Sequence, residues 1–103
     1  MEVDVLRVTD SESGLFAVGT VSGSTYLLDL DGRTVRRIRV DHDPWHQLRR
    51  DGEEIRLLEI IRCVIREPMV LIIDLQVPGV AYTTRETSDV RVIRRLDRAD
   101  GVS

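Results

Sequence analysis

The run from Ser22 to Arg37 reads Ser-Gly-Ser-Thr-Tyr-Leu-Leu-Asp-Leu-Asp-Gly-Arg-Thr-Val-Arg-Arg. It spells turn, strand, tight turn, strand, and everything else in the chain reads as further strands added around it. Tyr26, Leu28 and Leu30 alternate onto one face, while Thr25, Leu27 and Asp29 take the other, the period-2 pattern of a half-buried strand. Asp31-Gly32 between two such segments predicts a type I′ hairpin, whose central residues both need positive φ.

Composition agrees. The chain has 14 Val, 8 Ile and 7 Thr but only 4 aromatic residues. β-Branched side chains are stiff at χ1 and pack well on a pleated surface. Ala is scarce and Lys and Asn are absent, so all 15 cationic side chains are Arg. Lys and Asn are the residues that GC-rich coding disfavours, so the Arg content reflects codon usage as well as chemistry. A net charge of −3 with 32% charged residues of mixed sign excludes a protein that coats DNA by bulk positive charge. A single cysteine, Cys63, excludes an internal disulfide framework. It stands in an apolar run and reads as a small buried hydrophobe. The start Met-Glu-Val-Asp lacks the pattern of a signal peptide, and the longest apolar run, residues 69–73, is too short to span a bilayer. A cytoplasmic location and no membrane partner are therefore expected.

Taken in order, strands are expected at residues 3–9, 15–21, 25–30, 34–40, 55–65, 69–75, 80–84 and 90–96. The hydrophobic phase slips within 3–9, and again between Val35 and Ile38 across Arg36-Arg37, which suggests bulges and a curved sheet. The segment 55–65 is ambiguous: its apolar pairs are spaced as on an amphipathic helix, but its β-branched content and the preceding Asp51-Gly52 favour one strand or two short ones. Pro44 opposes a central strand at 41–53, where one helical turn is expected at 45–50. Residues 1–96 form one domain, with 97–103 as a flexible tail. The fold class is all-β and mainly antiparallel: a small SH3-like or partly open β-barrel of about seven or eight short strands, with a two-sheet β-sandwich as the alternative.

The motif Ser22-Gly23-Ser24-Thr25-Tyr26, followed by Leu28-Asp29-Leu30 and Arg33-Thr34-Val35-Arg37, resembles short proteins of actinobacteria and their phages. In those an SGS-x-Y turn and strand precede a D-x-x-x-R-T-V-x-R hairpin. Arg85, Thr87, Ser88 and Val90 are similar to their C-terminal corner. The resemblance covers about a third of the chain. It implies a source and a β fold, and carries no activity.

Four features suggest chemistry. Thr83, Thr84, Arg85, Thr87 and Ser88 form a corner whose hydroxyls, guanidinium and turn amides fit an anion, or equally an ordinary capped turn. Asp41, His42, Asp43 and His46 carry metal-ligating side chains, but a loop containing Pro44 gives no helical registration to His42 and His46, so no metal is expected. Trp45 either stacks on a base or plugs one end of the barrel. The pairs Arg36-Arg37, Arg49-Arg50 and Arg94-Arg95 either line one basic surface or form cross-strand ion pairs. No phosphate loop, nucleophile elbow or supported Cys-His pair is present.

The expectation is a non-catalytic binding module without a cofactor, its partner an anionic small molecule, nucleotide or short nucleic acid held by Arg36, Arg37, Trp45 and the 83–88 corner. A phage accessory role, such as sequestering a host signalling nucleotide in defence evasion, is one use of such a module. The alternative is a protein-interaction module forming a homo-oligomer through edge strands, with residues 55–65 and 69–73 as interface. A metal-dependent hydrolase built on the 41–46 loop comes third.

Overall fold

The computed structural model describes residues 3–39 and 54–96. The expected helical turn at 45–50, Trp45, the His42–His46 loop, Arg49-Arg50 and the 97–103 tail lie outside the described residues. Among the described residues there are seven strands: β1 Val3–Val5, β2 Leu15–Thr20, β3 Ser24–Asp29, β4 Thr34–Arg39, β5 Glu54–Arg62, β6 Pro68–Asp74 and β7 Thr83–Leu96. All strand pairings are antiparallel, in the order β1-β7-β2-β3-β4-β5-β6, and β6 pairs back onto β7. Six strands thus close a barrel and β1 is an extra strand laid against β7. The small barrel expected from the sequence is present, fully closed, and the sandwich alternative does not apply.

Alternation fills the barrel. Phe16, Val18, Leu28, Met69, Leu71, Ile73 and Ile93 are buried to within a few per cent, because every second residue of each strand points inward. The central hairpin β3–β4 is in unbroken register from Ser24↔Arg39 to Asp29↔Thr34. Its turn is not type I′, however. Neither Asp31 nor Gly32 has positive φ; Arg33 does, at 56°. The Asp29 carboxylate accepts the amides of Asp31 (3.1 Å) and Gly32 (2.9 Å), so an Asx-type turn outcompetes the primed one. The preceding three-residue turn, 21–23, has Gly23 at φ 93° and the Gly23 N–H on the Thr20 carbonyl at 3.0 Å, as a left-handed third position requires.

Closure depends on bulges. In β5, Leu58 and Ile61 are each extra residues relative to β6: Leu57 and Glu59 face Ile73 and Ile72, and Ile60 and Arg62 face Leu71 and Val70. The inward positions therefore run Leu57, Ile60, Cys63. Two bulges three residues apart turn a period of 2 into an apparent period of 3, which is why 55–65 looks helical in sequence while forming a strand. In β7, Arg91 is extra relative to β2, and the register against β6 shifts at Thr87-Ser88. These bends let one 14-residue strand pair with β6 along its first half and with β2 and β1 along its second.

Three expectations are corrected. Residues 3–9 are not one strand: β1 stops at Val5, and the chain swings across to pair Arg7 with Val64, the Val8 N–H meeting the Cys63 carbonyl at 2.9 Å. The phase slip in β4 is no bulge, since the register is continuous; Arg37 simply occupies an inward position. Residues 80–82 lie outside any strand, and 85–89 are not a corner but the middle of β7.

The first β5 bulge is held by a side-chain clamp. Arg33 Nη2 donates to Asp10 Oδ1 at 2.8 Å and to the Leu58 carbonyl at 2.9 Å, and the Ile60 N–H donates to the same Asp10 oxygen at 2.8 Å. The Arg33 hydrogen bond and the Ile60 amide hold the Asp10 carboxyl below its ordinary value. Because the folded value is depressed, the clamp's contribution is present above the unfolded value and is lost as pH falls through the folded one. Replacing Asp10 with Ala is expected to cost about 1–2 kcal/mol in urea denaturation at pH 7, the cost of an amide left without its acceptor. Asp10→Asn is expected to flatten the loss of stability below about pH 4. A wild-type-like midpoint and acid slope in both variants would refute the clamp.

Candidate functional site

At one end of the barrel two arginines stand at strand positions whose cross-strand neighbours are buried. Here β2 ends at Thr20, β3 begins at Ser24, β4 ends at Arg39, β5 begins at Glu54, β6 ends at Asp74 and β7 begins at Thr83. A recess of about 30 Å³ opens at this mouth, with Tyr26, Val35, Ile55, Leu71 and Ile73 as its apolar wall and Arg37 and Arg85 beside them. Register explains the two arginines. Arg37 pairs with Tyr26 and Arg85 with Leu71, both buried positions, so both guanidiniums start from the barrel's inner face. Arg37 Nη2 donates to Ser24 Oγ at 3.0 Å. Arg85 makes no hydrogen bond or ion pair among the described residues, and neither arginine has an acidic partner there.

The structure sorts the residues singled out by sequence. It brings Arg37 and Arg85 together and separates the rest. Arg36 is on the outer face and pairs with Glu54 at 2.7 Å. Thr84 faces outward opposite Ile72. Thr83 shares the inward face with Arg85, opposite Ile73. Thr87 and Ser88 do structural work. Thr87 Oγ1 accepts the Met69 N–H at 3.1 Å and donates to the Ser88 carbonyl at 2.7 Å, spanning the register shift. Ser88 Oγ accepts the Ser22 N–H at 3.3 Å and donates to Ser22 Oγ at 3.1 Å, fastening the 21–23 turn to β7. The proposed anion corner is therefore dismantled: two of its hydroxyls are consumed by bulge and turn, and strand alternation splits the others.

The same alternation splits the two described arginine pairs. Arg37 takes the inner-face register of β4 and Arg36 the outer. Arg94 contacts Asp4 at 3.4 Å, while Arg95 lies over the Phe16 ring, 5.9 Å from its centroid, at the opposite end of the barrel. Adjacent strand residues face opposite sides, so neither of the described Arg-Arg pairs lines a single surface. What sequence reading missed is the significance of the β4 phase slip: an arginine stands where the pattern asks for a core residue, and that is the signal that finds the mouth.

The residues 75–82 that link β6 to β7 stand at the same end and expose Leu75, Val77, Val80 and Tyr82, the last at 59%. β6 itself has no open edge, being paired to β5 and β7, and its Met69, Leu71 and Ile73 are buried. In the 55–65 segment Leu58 and Ile61 are exposed. Among the described residues no group of three or more His, Cys, Asp or Glu is placed to hold a metal ion, and no helix is long and apolar enough to cross a membrane.

The fold and site define a small closed β-barrel with a cationic mouth over an apolar recess. The chain matches no protein-family model, no curated protein and no solved structure.

Cys63 offers no nucleophile. It is 1% exposed, and burial, with a smaller contribution from Glu12, pushes its thiol up to about 12. The thiolate is the reactive form, so iodoacetamide at pH 8 is expected to leave the native protein unlabelled and to label it fully in denaturant, by intact mass. Native labelling at the rate of the denatured chain would contradict this.

Proposed function

We propose that this protein is a non-catalytic binding module whose barrel mouth takes an anionic group, the phosphate of a nucleotide or of a short nucleic acid. The observation that carries the reading is the convergence of Arg37 and Arg85 on one apolar recess, with no acidic partner among the described residues. Arg37 is exposed and Arg85 half-buried, so both are open to an anion arriving from solvent. The planar fork of a guanidinium suits phosphate. The volume of about 30 Å³ is close to that of one water molecule. The anionic group therefore meets the arginines at the rim, and a nucleobase stays outside.

Assembly of copies through edge strands has less support. The barrel is closed, and β1, three residues long, is too short an edge to template a stable partner strand.

Titration of the ¹⁵N-labelled protein with nucleoside monophosphates is expected to shift the amides of Tyr26, Val35, Ile55 and Ile73. Arg85→Met, which keeps a side chain of similar length but removes the charge, is expected to weaken binding about tenfold or more. Arg36→Ala, on the outer face, leaves binding unchanged. Saturable binding that survives Arg85→Met, or that is lost equally in Arg36→Ala, would refute the reading, as would the absence of any shift.

A further inference from the structure

A second concavity lies beside the 21–23 turn, on the outer side of the barrel where β2, β3 and β7 meet. It has a volume of about 380 Å³ and is lined by Gly19, Gly23, Ser24, Thr25, Arg91 and Arg94, with Thr20 and Val92 completing it. No acidic residue lines it. Its chemistry differs from that of the mouth: the lining is backbone, hydroxyl and guanidinium, with Val92 its one sizeable apolar side chain.

Three features of the sequence produce this groove. Gly19 is half-buried on the outer face, and a Cβ there would stand 3.0 Å from Val92 Cγ1, so a side chain at this position would lie across the floor. Gly23 takes φ 93°, and a Cβ there would meet nothing within 4 Å, leaving the turn side of the groove bare. The β7 bulge falls at Arg91, between the Gly19↔Val92 and Thr20↔Val90 pairs. Bulges re-aim side chains, and this one brings Arg91 to the same concavity as Arg94. Arg91 makes no hydrogen bond or ion pair among the described residues; Arg94 is engaged by Asp4, Nε to Oδ1 at 3.4 Å.

We propose that this groove binds a phosphate monoester carried on a polyhydroxylated body, the chemistry of a sugar phosphate. Arg91 is the principal phosphate ligand and Arg94 a second cation beside it. Guanidinium groups match the phosphate oxygens in fork geometry. Gly23, exposed, and Gly19, without a side chain over the floor, admit close approach of a ligand, and Thr25 offers a hydroxyl to the sugar. The site stands on observations separate from those at the mouth, and shares with it only Ser24, whose hydroxyl is already engaged by Arg37.

Ribose 5-phosphate and inorganic phosphate titrated separately into ¹⁵N-labelled protein test this. Ribose 5-phosphate is expected to shift the amides of Gly19, Gly23, Thr25 and Val92 saturably, and to bind about tenfold more tightly than phosphate alone. Arg91→Ala is expected to lose about tenfold in affinity, and Arg91→Lys to recover part of it, a point charge replacing a fork. Arg85→Met leaves these shifts unchanged, which separates the groove from the mouth. Absence of saturable shifts at Gly19 and Gly23, undiminished binding by Arg91→Ala, or equal affinity for phosphate and ribose 5-phosphate (an adventitious ion only) would each overturn the proposal.

Discussion

A six-stranded sheet closes on itself here because its two longest strands bend, and each bend displaces backbone groups that need new partners. β5 bends at Leu58 and Ile61, β7 at Thr87-Ser88 and Arg91. At the first β5 bulge the partners come from Asp10 and Arg33, residues of two different connections. At the β7 shift the Thr87 hydroxyl receives the Met69 amide. A half-buried amide without an acceptor costs more than a typical hydrogen bond contributes. These local contacts therefore decide whether the global closure is favourable. The apolar interior, with Leu28, Val18 and Ile93 fully buried, forms only once that closure is made.

The two ends of the closed barrel are finished differently. At one, Arg95 lies over Phe16 and the Leu30 N–H reaches the Gly14 carbonyl at 2.8 Å; a cation there covers an aromatic ring that it also holds in place. At the other, Arg37 and Arg85 flank an apolar recess. The same residue type thus acts as a plug at one end and lines an opening at the other. What separates the two cases is a partner: a ring beneath Arg95, and no counter-charge among the described residues for Arg85.

Much of the architecture was legible in the sequence, because period-2 alternation and β-branched content are local properties. The β2, β3, β4 and β6 strands fall where their patterns put them, to within a residue. The strand expected at 55–65 is present, and its helix-like spacing shares one cause with the misread slip in β4. A bulge, or a charged residue facing inward, breaks the alternation in the same way on paper, and only the register separates them. Thus β5 carries helix-like spacing from two bulges, while the slip in β4 is Arg37 at the mouth. The Thr-rich 83–88 stretch reads as a turn because Thr, Ser and Asp are turn residues. In fact its hydroxyls serve a strand that must bend to touch both β6 and β2. Of the candidate site, Arg37 and Arg85 were legible as residues but not as a pair. Their meeting depends on strand order, which no local signal encodes.

The position of β7 in the chain has a consequence for synthesis. It is the last strand, yet it contacts β1, β2 and β6. As the chain leaves the ribosome, strands β2 to β6 can assemble as an open, curled sheet, but the edges of β2 and β6 stay unpaired and the inner face stays wet until residue 96 is out. Long-range pairing of this kind is slow, and unpaired edges are the surfaces through which nascent chains associate wrongly. β6, with five consecutive apolar residues from Met69 to Ile73, is then the most exposed to mispairing. The closing strand that takes up its edge is also the most heavily charged part of that interface, with Arg85, Glu86 and Asp89. A barrel that is closed when folded thus passes through a stage in which the edges of β2 and β6 are exposed, and β7 acts as their cover.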